Sequence, residues 1–434
     1  MKKFYILTLL MMFLLTGCTT NKLDDNTITF WTLQMGDFSP YIKGVISEYE
    51  ALHPQVKIEW VDVPFSEGEK RTLAAVLGNT PPDLINSNPD FSSLLAQRGA
   101  LEKIPLEKVQ NFNPQVIEAL KYEGELYSIP WYATSPVTFI NKELLEQTNM
   151  GKTAPAVKKV RKWVSAYRFK MVDKKYDKVV HPIPISYTQL YRNAKEAKEL
   201  SGAYIYTPNL VENDSMLRIL NKYGINSPET INSEESVLLF NHFRELYQFG
   251  WIPKETIAIT HREAFEQYMA GKSIFFQAGA NFLTMLKENA PQVYNSTMIK
   301  PQMIGSRGQY DFSLMNFVIP TKAHNKDLAL DFCLFLTNSE NQLKLAQLTN
   351  VLATDNTALA SGFYNDYRTK MGEARSISAL QLRKINPVMK KVRNQKELNN
   401  LVNTAVQEIL TAKKNNTQAV LDKLAEDWRT LIAE

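Results

Sequence analysis

Aromatic rings and planar polar side chains recur at the ends of apolar runs in this sequence. Trp31 is followed by Gln34 and Asp37, and Asn88 is followed by Asp90. Flat rings pack on apolar faces, whereas amides and carboxylates form hydrogen bonds with hydroxyl groups. These residue types suit a ligand that has an apolar face and several hydroxyl groups. The candidates are the rings of Trp31, Trp131, Tyr132 and Trp251 and the polar groups of Gln34, Asp37, Asn88, Asp90, Gln277, Asn281 and Asn316.

Each candidate side chain also has a purely structural interpretation. A Trp at the end of a strand packs in the core at least as often as it serves a ligand, and Trp251 lies close to a Gly and a Pro. Asn88 and Asp90 could instead form turn hydrogen bonds around Pro89. Asn316 opens an apolar strand, where it could act in a hinge or support a helix. The sequence leaves both kinds of interpretation open.

Motifs typical of catalysis or metal binding are not found in the sequence. The five histidines are scattered, and His261-Arg262-Glu263 is not the zinc-binding His-Glu-x-x-His pattern. The chain has no Gly-x-Ser-x-Gly turn, no phosphate-binding glycine loop and no dinucleotide fingerprint. Its two cysteines, Cys18 and Cys333, are too few for a disulfide framework or a four-Cys zinc site. We therefore expect no catalytic residues, no metal and no cofactor, and we interpret Cys333 as a buried helical residue.

Length and composition limit the class of protein. A chain of 434 residues is about three times a typical domain of roughly 150 residues, so we expect two globular units. Hydrophobic residues make up 44% and charged residues 22%, which is typical of an ordinary globular chain. The 50 basic and 45 acidic residues leave a net charge of +5, too small to indicate a nucleic-acid partner.

The first twenty residues have the pattern of a bacterial export signal. Two lysines precede an apolar run from Phe4 to Leu15, which as a helix would span about 18 Å, well short of the roughly 30 Å hydrocarbon layer. The sequence Leu15-Thr16-Gly17-Cys18 follows and resembles the lipobox of bacterial lipoproteins, which implies removal of residues 1–17 and lipidation of Cys18. The alternative is an ordinary signal peptide with an incidental cysteine. Residues 18–26 would then form a polar tether, and no later apolar run has the length of a membrane span.

The elements that must position the candidate side chains follow an α/β order. Periodicity predicts strands at 27–30, 56–60 and 84–85, alternating with helices, which is typical of a parallel sheet flanked by helices. Ligands bind such sheets beyond the carboxyl ends of the strands, so we place candidate loops at 31–37 and 87–91. Further predicted strands lie at 137–140, 273–276 and 316–320, and predicted helices at 187–200, 214–223, 233–249, 262–270, 328–336 and from 388 onward.

Short motifs in a fixed order resemble one known family, the solute-binding lipoproteins of sugar ABC transporters of the maltose-binding-protein type. The resemblance extends from about Thr27 to Trp428. The motifs that carry it are His53-Pro54, Pro82-Asp83, Asn88-Pro89-Asp90-Phe91, Gly99-Ala100-Leu101, Tyr127-Ser128-Ile129-Pro130-Trp131, Phe139-Ile140-Asn141-Lys142-Glu143-Leu144, Phe265 with Gly271-Lys272, and Ile319-Pro320.

The resemblance implies an α/β, two-lobed fold like that of periplasmic binding proteins, in which each lobe is a mostly parallel sheet flanked by helices and crossing segments form a hinge. It assigns 27–132 with 271–311 to one lobe, and 133–270 with 312–434 to the other. It implies a receptor, not an enzyme, that binds a sugar, in particular an oligosaccharide, in the interlobe cleft and delivers it to an ABC permease. The protein would be a monomer, lipid-anchored to the outer face of the cell membrane or in the periplasm.

Two features depart from the family pattern. A basic insertion at 152–182 either contacts anionic lipid or an acidic partner, or is a solvated segment packed on its own lobe. Gly279-Ala280-Asn281 stands where the family often has Gly-x-Trp, so a usual stacking ring is missing, and whether Phe282 replaces it stays open. Two alternative functions also stay open: an extracytoplasmic glycoside hydrolase with two carboxylates facing across a sugar, and a lipoprotein receptor for peptides or polyamines.

Overall fold

The computed structural model describes residues 26–78, 80–152, 186–383 and 394–433. The predicted signal peptide, the predicted lipidation site at Cys18 and residues 153–182 of the basic insertion lie outside these ranges. None of the helices within them combines the length and the apolar character that crossing a membrane requires.

Strands and helices alternate through much of the described chain. The strands are β1 Thr27–Leu33, β2 Lys57–Val63, β3 Leu84–Ser87, β4 Lys121–Tyr122, β5 Glu125–Leu126, β6 Ile129–Thr134, β7 Val137–Asn141, β8 Tyr204–Tyr206, β9 Ser273–Ala278, β10 Thr297–Pro301, β11 Ser313–Val318 and β12 Leu352–Ala353. The helices are α1 Ser39–Leu52, α2 Phe65–Leu77, α3 Pro89–Gln97, α4 Pro114–Ala119, α5 Lys142–Glu146, α6 Asn149–Lys152, α7 Tyr187–Ser201, α8 Ser215–Asn221, α9 Glu234–Gln248, α10 His261–Met269, α11 Phe282–Asn289, α12 Pro291–Ser296, α13 Lys326–Leu336, α14 Ser339–Thr349, α15 Asn356–Leu359, α16 Lys370–Leu382, α17 Gln395–Thr411 and α18 Thr417–Ala433. Short 3-10 helices lie at Gly36–Phe38, Leu106–Val109, Lys254–Ile257 and Gly362–Asn365.

The chain divides into two compact units. The first contains the described residues up to Asn86 together with Ile319–Phe335, and the second contains Ser87–Val318 and the described residues from Leu336 onward.

The first unit is built on parallel strands, with β1 paired to β2 on one side and to β3 on the other. Phe30 of β1 is fully buried, and its ring meets Phe332 of α13 edge-on at a centroid distance of 5.4 Å. Pro40 occupies the first turn of α1, where its fixed backbone angle and missing N–H cost nothing. The late segment that carries α13 therefore completes the core of this unit.

Asp83 fixes the joint between β1 and the segment before α13. Its carboxylate is 1% exposed and accepts hydrogen bonds from the backbone N–H and the hydroxyl of Thr29, both at 2.8 Å. The backbone N–H groups of His324 and Asn325 donate to it at 2.7 and 3.0 Å. Asn325 in turn donates from Nδ2 to the carbonyl of Thr27 at 2.9 Å. These donors compensate a buried charge that would otherwise be costly.

The second unit contributes strands to two sheets. In the first, β6 pairs antiparallel with both β11 and β12. In the second, the order is β10-β7-β9-β8, where β7 pairs antiparallel with β10 and β9, and β8 with β9 is the parallel pair among these described strands. This second sheet is therefore mostly antiparallel, which corrects the expectation of a mostly parallel sheet in each lobe. One face of this second sheet packs on α7, α8, α9, α17 and α18, and the other packs on α10, α11 and α16.

Two segments of the described chain join these sheets. The first crossing, residues 135–136, leads from β6 to β7, and the second crossing, residues 302–312, leads from β10 to β11. The expected lobe division differs from these pairings. Residues 271–311 were expected with 27–132, yet β9 and β10 pair with β7, and β11, expected with 133–270, pairs with β6. Hydrophobic periodicity identifies strands but not their partners. It therefore did not show that β9 and β10 still belong to the second sheet and that residues 302–312 lead back to the first.

Candidate ligand-binding site

The end of β1 and the loop after it hold two of the predicted residues in the first unit. Trp31 is half-buried, and the guanidinium carbon of Arg71 lies 4.8 Å from the centre of its ring. Gln34 is exposed and has a φ of 51°, a left-handed conformation that costs energy in a residue with a side chain. Asp62 of β2 holds this loop by accepting a hydrogen bond from the backbone N–H of Met35 at 2.9 Å. Trp31 and Gln34 remain candidates, whereas the side chain of Asp37 lies outside what the structure describes.

Asn88 caps helix α3. Its Oδ1 accepts a hydrogen bond from the backbone N–H of Phe91 at 2.9 Å, as an N-cap residue does. This is the turn-type role that the sequence left open. Asp90 lies half-buried in the first turn of α3, where a carboxylate interacts favourably with the helix dipole.

Asn316 supports α3 from inside the protein. Its side chain is fully buried, and its Nδ2 donates to the hydroxyl of Ser92 at 2.8 Å. The Ser92 hydroxyl donates in turn to Ser87 at 3.1 Å. Because no part of Asn316 is exposed, we correct its assignment from ligand contact to helix support.

Trp131 is a core residue, which corrects its assignment as an exposed platform. The side chain is 0% exposed, with ring centroids 4.6 Å from Phe317 and 5.0 Å from Tyr132. A stacking platform needs an open face, and this ring has none. Tyr132 is half-buried, and burial raises the pKa of its phenol to about 12, so it stays protonated and able to donate. Tyr132 therefore remains a candidate.

A β-bulge lies beside these two aromatic residues. In the β6–β11 ladder Met315 pairs with Tyr132 but Asn316 pairs with Pro130, so Trp131 has no opposite partner in that ladder. Bulges re-aim side chains and are frequent next to functional sites.

Gln277 is taken up by internal hydrogen bonds. It is 9% exposed, its Nε2 donates to the hydroxyl of Tyr187 at 2.7 Å, and its Oε1 accepts from the backbone N–H of Met303 at 2.8 Å. Burial also raises the pKa of Tyr187. We therefore correct Gln277 from ligand contact to a residue that fixes the start of the second crossing against β9.

Asn281 is exposed at the carboxyl end of β9 and remains a candidate. A Cβ atom at Gly279 would lie 2.4 Å from the Oδ1 of Asn281, so a larger residue at position 279 would displace this side chain. Phe282 is half-buried and meets Phe265 and His261 edge-on, at 4.9 and 5.2 Å. In this position Phe282 packs partly on the core, and these contacts do not identify it as a replacement for the missing Trp.

Trp251 lies apart from the other candidates of the second unit. Its half-buried ring packs on Phe249 at 5.0 Å and near Tyr191 at 6.5 Å. Its carbonyl accepts from the backbone N–H of Ile205 at 3.0 Å, beside the edge strand β8. Within the described part of the chain, these contacts link Trp251 to none of the other candidate residues.

The loop 207–214 after β8 carries polar groups that the sequence analysis missed. The Oε2 atom of Glu212 accepts from Nδ2 of Asn209 at 2.6 Å and from the backbone N–H of His261 at 2.7 Å. Asn213 has a φ of 52°, a left-handed conformation that Asn adopts more readily than most residues. Since β8 and β9 are parallel, this loop and Asn281 follow strand ends at the same sheet edge. If Tyr204–Tyr206 had been recognised as a strand in the sequence, the loop 207–214 would have been a candidate.

Burial keeps the imidazole of His261 neutral near pH 7. The ring stacks on Phe276 at 5.2 Å, and desolvation lowers its pKa, opposed by the nearby charge of Glu212. A neutral imidazole has one donor and one acceptor nitrogen, which suits a hydroxyl partner.

Polar side chains fasten the two crossings to each other. Gln302 donates from Nε2 to the hydroxyl of Ser135 at 3.1 Å and to the carbonyl of Asp311 at 2.9 Å. Gln381 of α16 donates to Ser135 at 3.1 Å, and its Oε1 accepts from the backbone N–H of Gln302 at 2.8 Å. Hydrogen bonds among buried side chains therefore fix the backbone of both crossings, because leaving a buried donor or acceptor without a partner is costly.

Other surface features do not overlap the candidates. Two surface cavities, of about 510 and 280 Å³, are lined by residues of other segments. Within the described ranges, no three His, Cys, Asp or Glu side chains come together as a metal-binding group.

Comparison with known proteins identifies the family. The family of bacterial extracellular solute-binding proteins matches residues 44–371. A maltotriose-binding protein of Pyrococcus abyssi is 26% identical over 124 residues, which span 28% of this chain and 27% of that relative.

Solved structures share the fold. A protein from Synechococcus sp. MITs9220, provisionally classed as an oligosaccharide periplasmic-binding protein, superposes with a TM-score of 0.78 at 24% identity, covering 94% of this chain and 99% of that one. The GacH receptor of Streptomyces glaucescens, solved unliganded and with acarbose, gives a TM-score of 0.70 at 18% identity over 94% and 98%. The predicted periplasmic-binding-protein fold is thus confirmed, and because the family match covers most of its length, the chain belongs to the bacterial extracellular solute-binding proteins.

Proposed function

We propose that this chain is a sugar receptor, in particular for an oligosaccharide, that delivers its ligand to an ABC permease. The observation that carries the proposal is the placement of polar side chains in the loops beyond the carboxyl ends of β1, β3, β8 and β9, with the ring of Trp31 near the end of β1 and that of Tyr132 on β6, in a chain of this family. The names of the similar proteins, which refer to maltotriose, oligosaccharide and acarbose, support the same ligand class.

The side chains that remain exposed or half-buried fit a pyranose. A pyranose has an apolar C–H face and a ring of hydroxyl groups. In the first unit, Trp31 would supply a ring and Gln34 would form hydrogen bonds with hydroxyl groups. In the second unit, Tyr132 would supply a ring, and Asp90 and Asn281 would form such hydrogen bonds. At the edge of the second sheet, Glu212 would add a hydrogen-bond acceptor. The neutral His261 would add one donor nitrogen and one acceptor nitrogen.

We propose that binding occurs without hydrolysis of the ligand. The family consists of binding proteins, which favours a receptor over a glycoside hydrolase. A family of extracellular solute-binding proteins also implies an extracytoplasmic location. We further propose that Cys18 carries the lipid that tethers the chain to the membrane, and that the protein acts as a monomer.

Isothermal titration calorimetry with the neutral trisaccharides maltotriose, cellotriose and xylotriose tests the receptor, with spermidine and trialanine testing the alternative ligands. We expect at least one trisaccharide to bind with a Kd in or below the micromolar range, and mass spectrometry of the native protein to show a co-purified sugar. Trisaccharides recovered intact after prolonged incubation support a receptor, whereas appearance of shorter sugars would establish the hydrolase. Binding of spermidine or trialanine alone would contradict the sugar assignment.

A further inference from the structure

Arg218 lies on α8, one turn after the loop 207–214, and its guanidinium is only partly used by the protein. Its Nε donates to Oδ1 of Asp214 at 2.7 Å, and its Nη1 donates to the carbonyl of Phe312 at 3.0 Å and to the hydroxyl of Ser313 at 3.4 Å. About a third of the side chain, 36%, is exposed. Among the described residues no acceptor contacts Nη2, so its two N–H groups are available to another molecule.

Lys222, one helical turn after Arg218, holds α8 in place. Its side chain is buried, with Nζ 3.0 Å from Oδ2 of Asp311, and it donates to Oε1 of Gln302 and to the carbonyl of Met303, both at 2.7 Å. These three acceptors match the three protons of an ammonium group. Arg218 and Lys222 therefore both attach α8 to the second crossing, and the guanidinium is held rigidly before any ligand arrives.

Neighbouring carboxylates keep the guanidinium of Arg218 protonated and also balance its positive charge. Asp214 raises its pKa most strongly, burial opposes this, and Asp311 and Asp90 raise it further. Asp90, in the first turn of α3, is thus within electrostatic range of the guanidinium. Because Asp214 already compensates the charge, the position offers directional donors without the net positive charge that would favour an anionic ligand.

We propose that Arg218 is a ligand-contacting, specificity-determining residue that presents its Nη2 N–H groups to hydroxyl oxygens of a neutral sugar. This inference rests on the proposed sugar-binding function and adds a residue to its site. A planar guanidinium fixed on two sides suits two neighbouring oxygen acceptors, and a flexible lysine ammonium does not reproduce that geometry.

Substitutions that keep or remove the charge test this inference. Arg218→Lys preserves the charge but loses the planar fork, and Arg218→Met removes both. Arg368→Lys is the matched control, because Arg368 pairs through Nε with Oδ1 of Asp366 at 2.9 Å in an exposed turn before α16. Calorimetry uses whichever of maltotriose, cellotriose and xylotriose binds the unmodified protein most tightly, and a thermal melt is recorded on each sample.

We expect Arg218→Lys to weaken binding roughly 10- to 100-fold, the effect of losing a charge-assisted hydrogen bond, with a melting temperature close to that of the control. Arg218→Met should weaken it at least as much, while Arg368→Lys binds normally. If both Arg218 variants bind like the control, Arg218 has only a structural role and the inference is wrong. If the unmodified protein binds none of the three sugars, the proposed function fails, and this result is distinguishable because it appears before any substitution is made.

Discussion

The indole of Trp131 is fully buried, and its N–H has no hydrogen-bond partner among the described residues. Its contribution is therefore packing, chiefly against Phe317. Burial also decides the roles of Gln277 and Asn316, whose amides are used inside the protein. From the sequence these residues could not be told apart from ligand contacts, because a polar or aromatic residue at a strand end suits both environments.

Replacing Trp131 tests this assignment. Trp131→Ala removes a large buried side chain, so we expect it to lower the free energy of unfolding by about 3–5 kcal/mol. A thermal melt and calorimetry on the same sample separate stability from affinity. An unchanged melting temperature with sugar affinity reduced roughly 5- to 150-fold would show instead that the ring is a binding platform.

His242 makes stability depend on pH. Its ring stacks on Tyr191 at 4.0 Å, and burial lowers its pKa to about 4, while Glu245 raises it and Arg192 lowers it further. The unfolded chain, with an ordinary His pKa near 6.5, binds more protons between about pH 4 and 6.5. Stability should therefore fall as pH decreases through this window.

His242→Phe should reduce that pH dependence. The Nδ1 atom of His242 is buried without a hydrogen-bond partner in the described part of the chain, so an apolar ring costs little there. We expect the drop in melting temperature between pH 7 and pH 5 to be smaller in this variant than in the unmodified protein. An equal drop in both proteins would assign the effect to other groups.

Most of the candidate residues lie in loops that follow strands, so predicting the site required predicting those strands. Periodicity predicted β1, β3 and β7 and the helices α7 and α9 close to their observed bounds. It missed β8, because three residues, Tyr204–Tyr206, are too short for a period to be recognised. The loop 207–214 with Glu212 was therefore missed as well. The predicted continuous tail helix is interrupted, since α17 ends at Thr411 and α18 begins at Thr417.

The cap of α3 provides a test at this scale. Asn88→Ala removes the acceptor for the backbone N–H of Phe91, so we expect a loss of about 1 kcal/mol in the free energy of unfolding. Asn88→Ser keeps a capping oxygen and should restore most of it. Chemical denaturation measures both variants. A large fall in sugar affinity in Asn88→Ser, with unchanged stability, would show that Asn88 contacts the ligand directly.

The order of motifs along the whole chain predicted the fold family, although each motif alone is weak. The partners of the strands were not predicted, because pairing depends on where the chain returns from the second sheet. The proposed lipid anchor at Cys18 is tested by a substitution of its own.

Cys18→Ser should abolish lipidation and move the protein out of the membrane fraction. Cys333→Ser is the control, because Cys333 is fully buried and burial raises the pKa of its thiol, which keeps it unreactive. Cell fractionation and intact-mass spectrometry follow both variants. Equal membrane retention of Cys18→Ser, with no lipid mass on the unmodified protein, would contradict the anchor.

The hydrogen bonds of Asp83 also set an order of events during synthesis. Two of the donors to its carboxylate, at His324 and Asn325, are made more than 240 residues after it, so β1 cannot acquire its native surroundings while the chain is short. Contacts this distant along the chain are slow to form. A fragment ending at residue 318 should leave the amide of Thr29 unprotected in hydrogen exchange, whereas one ending at 336 should begin to protect it. Protection already present in the shorter fragment would show that the late segment is dispensable. If the shorter fragment leaves Thr29 unprotected, we expect the N-terminal strands of the growing chain to stay unfolded until about three quarters of the protein, up to Asn325, has been made.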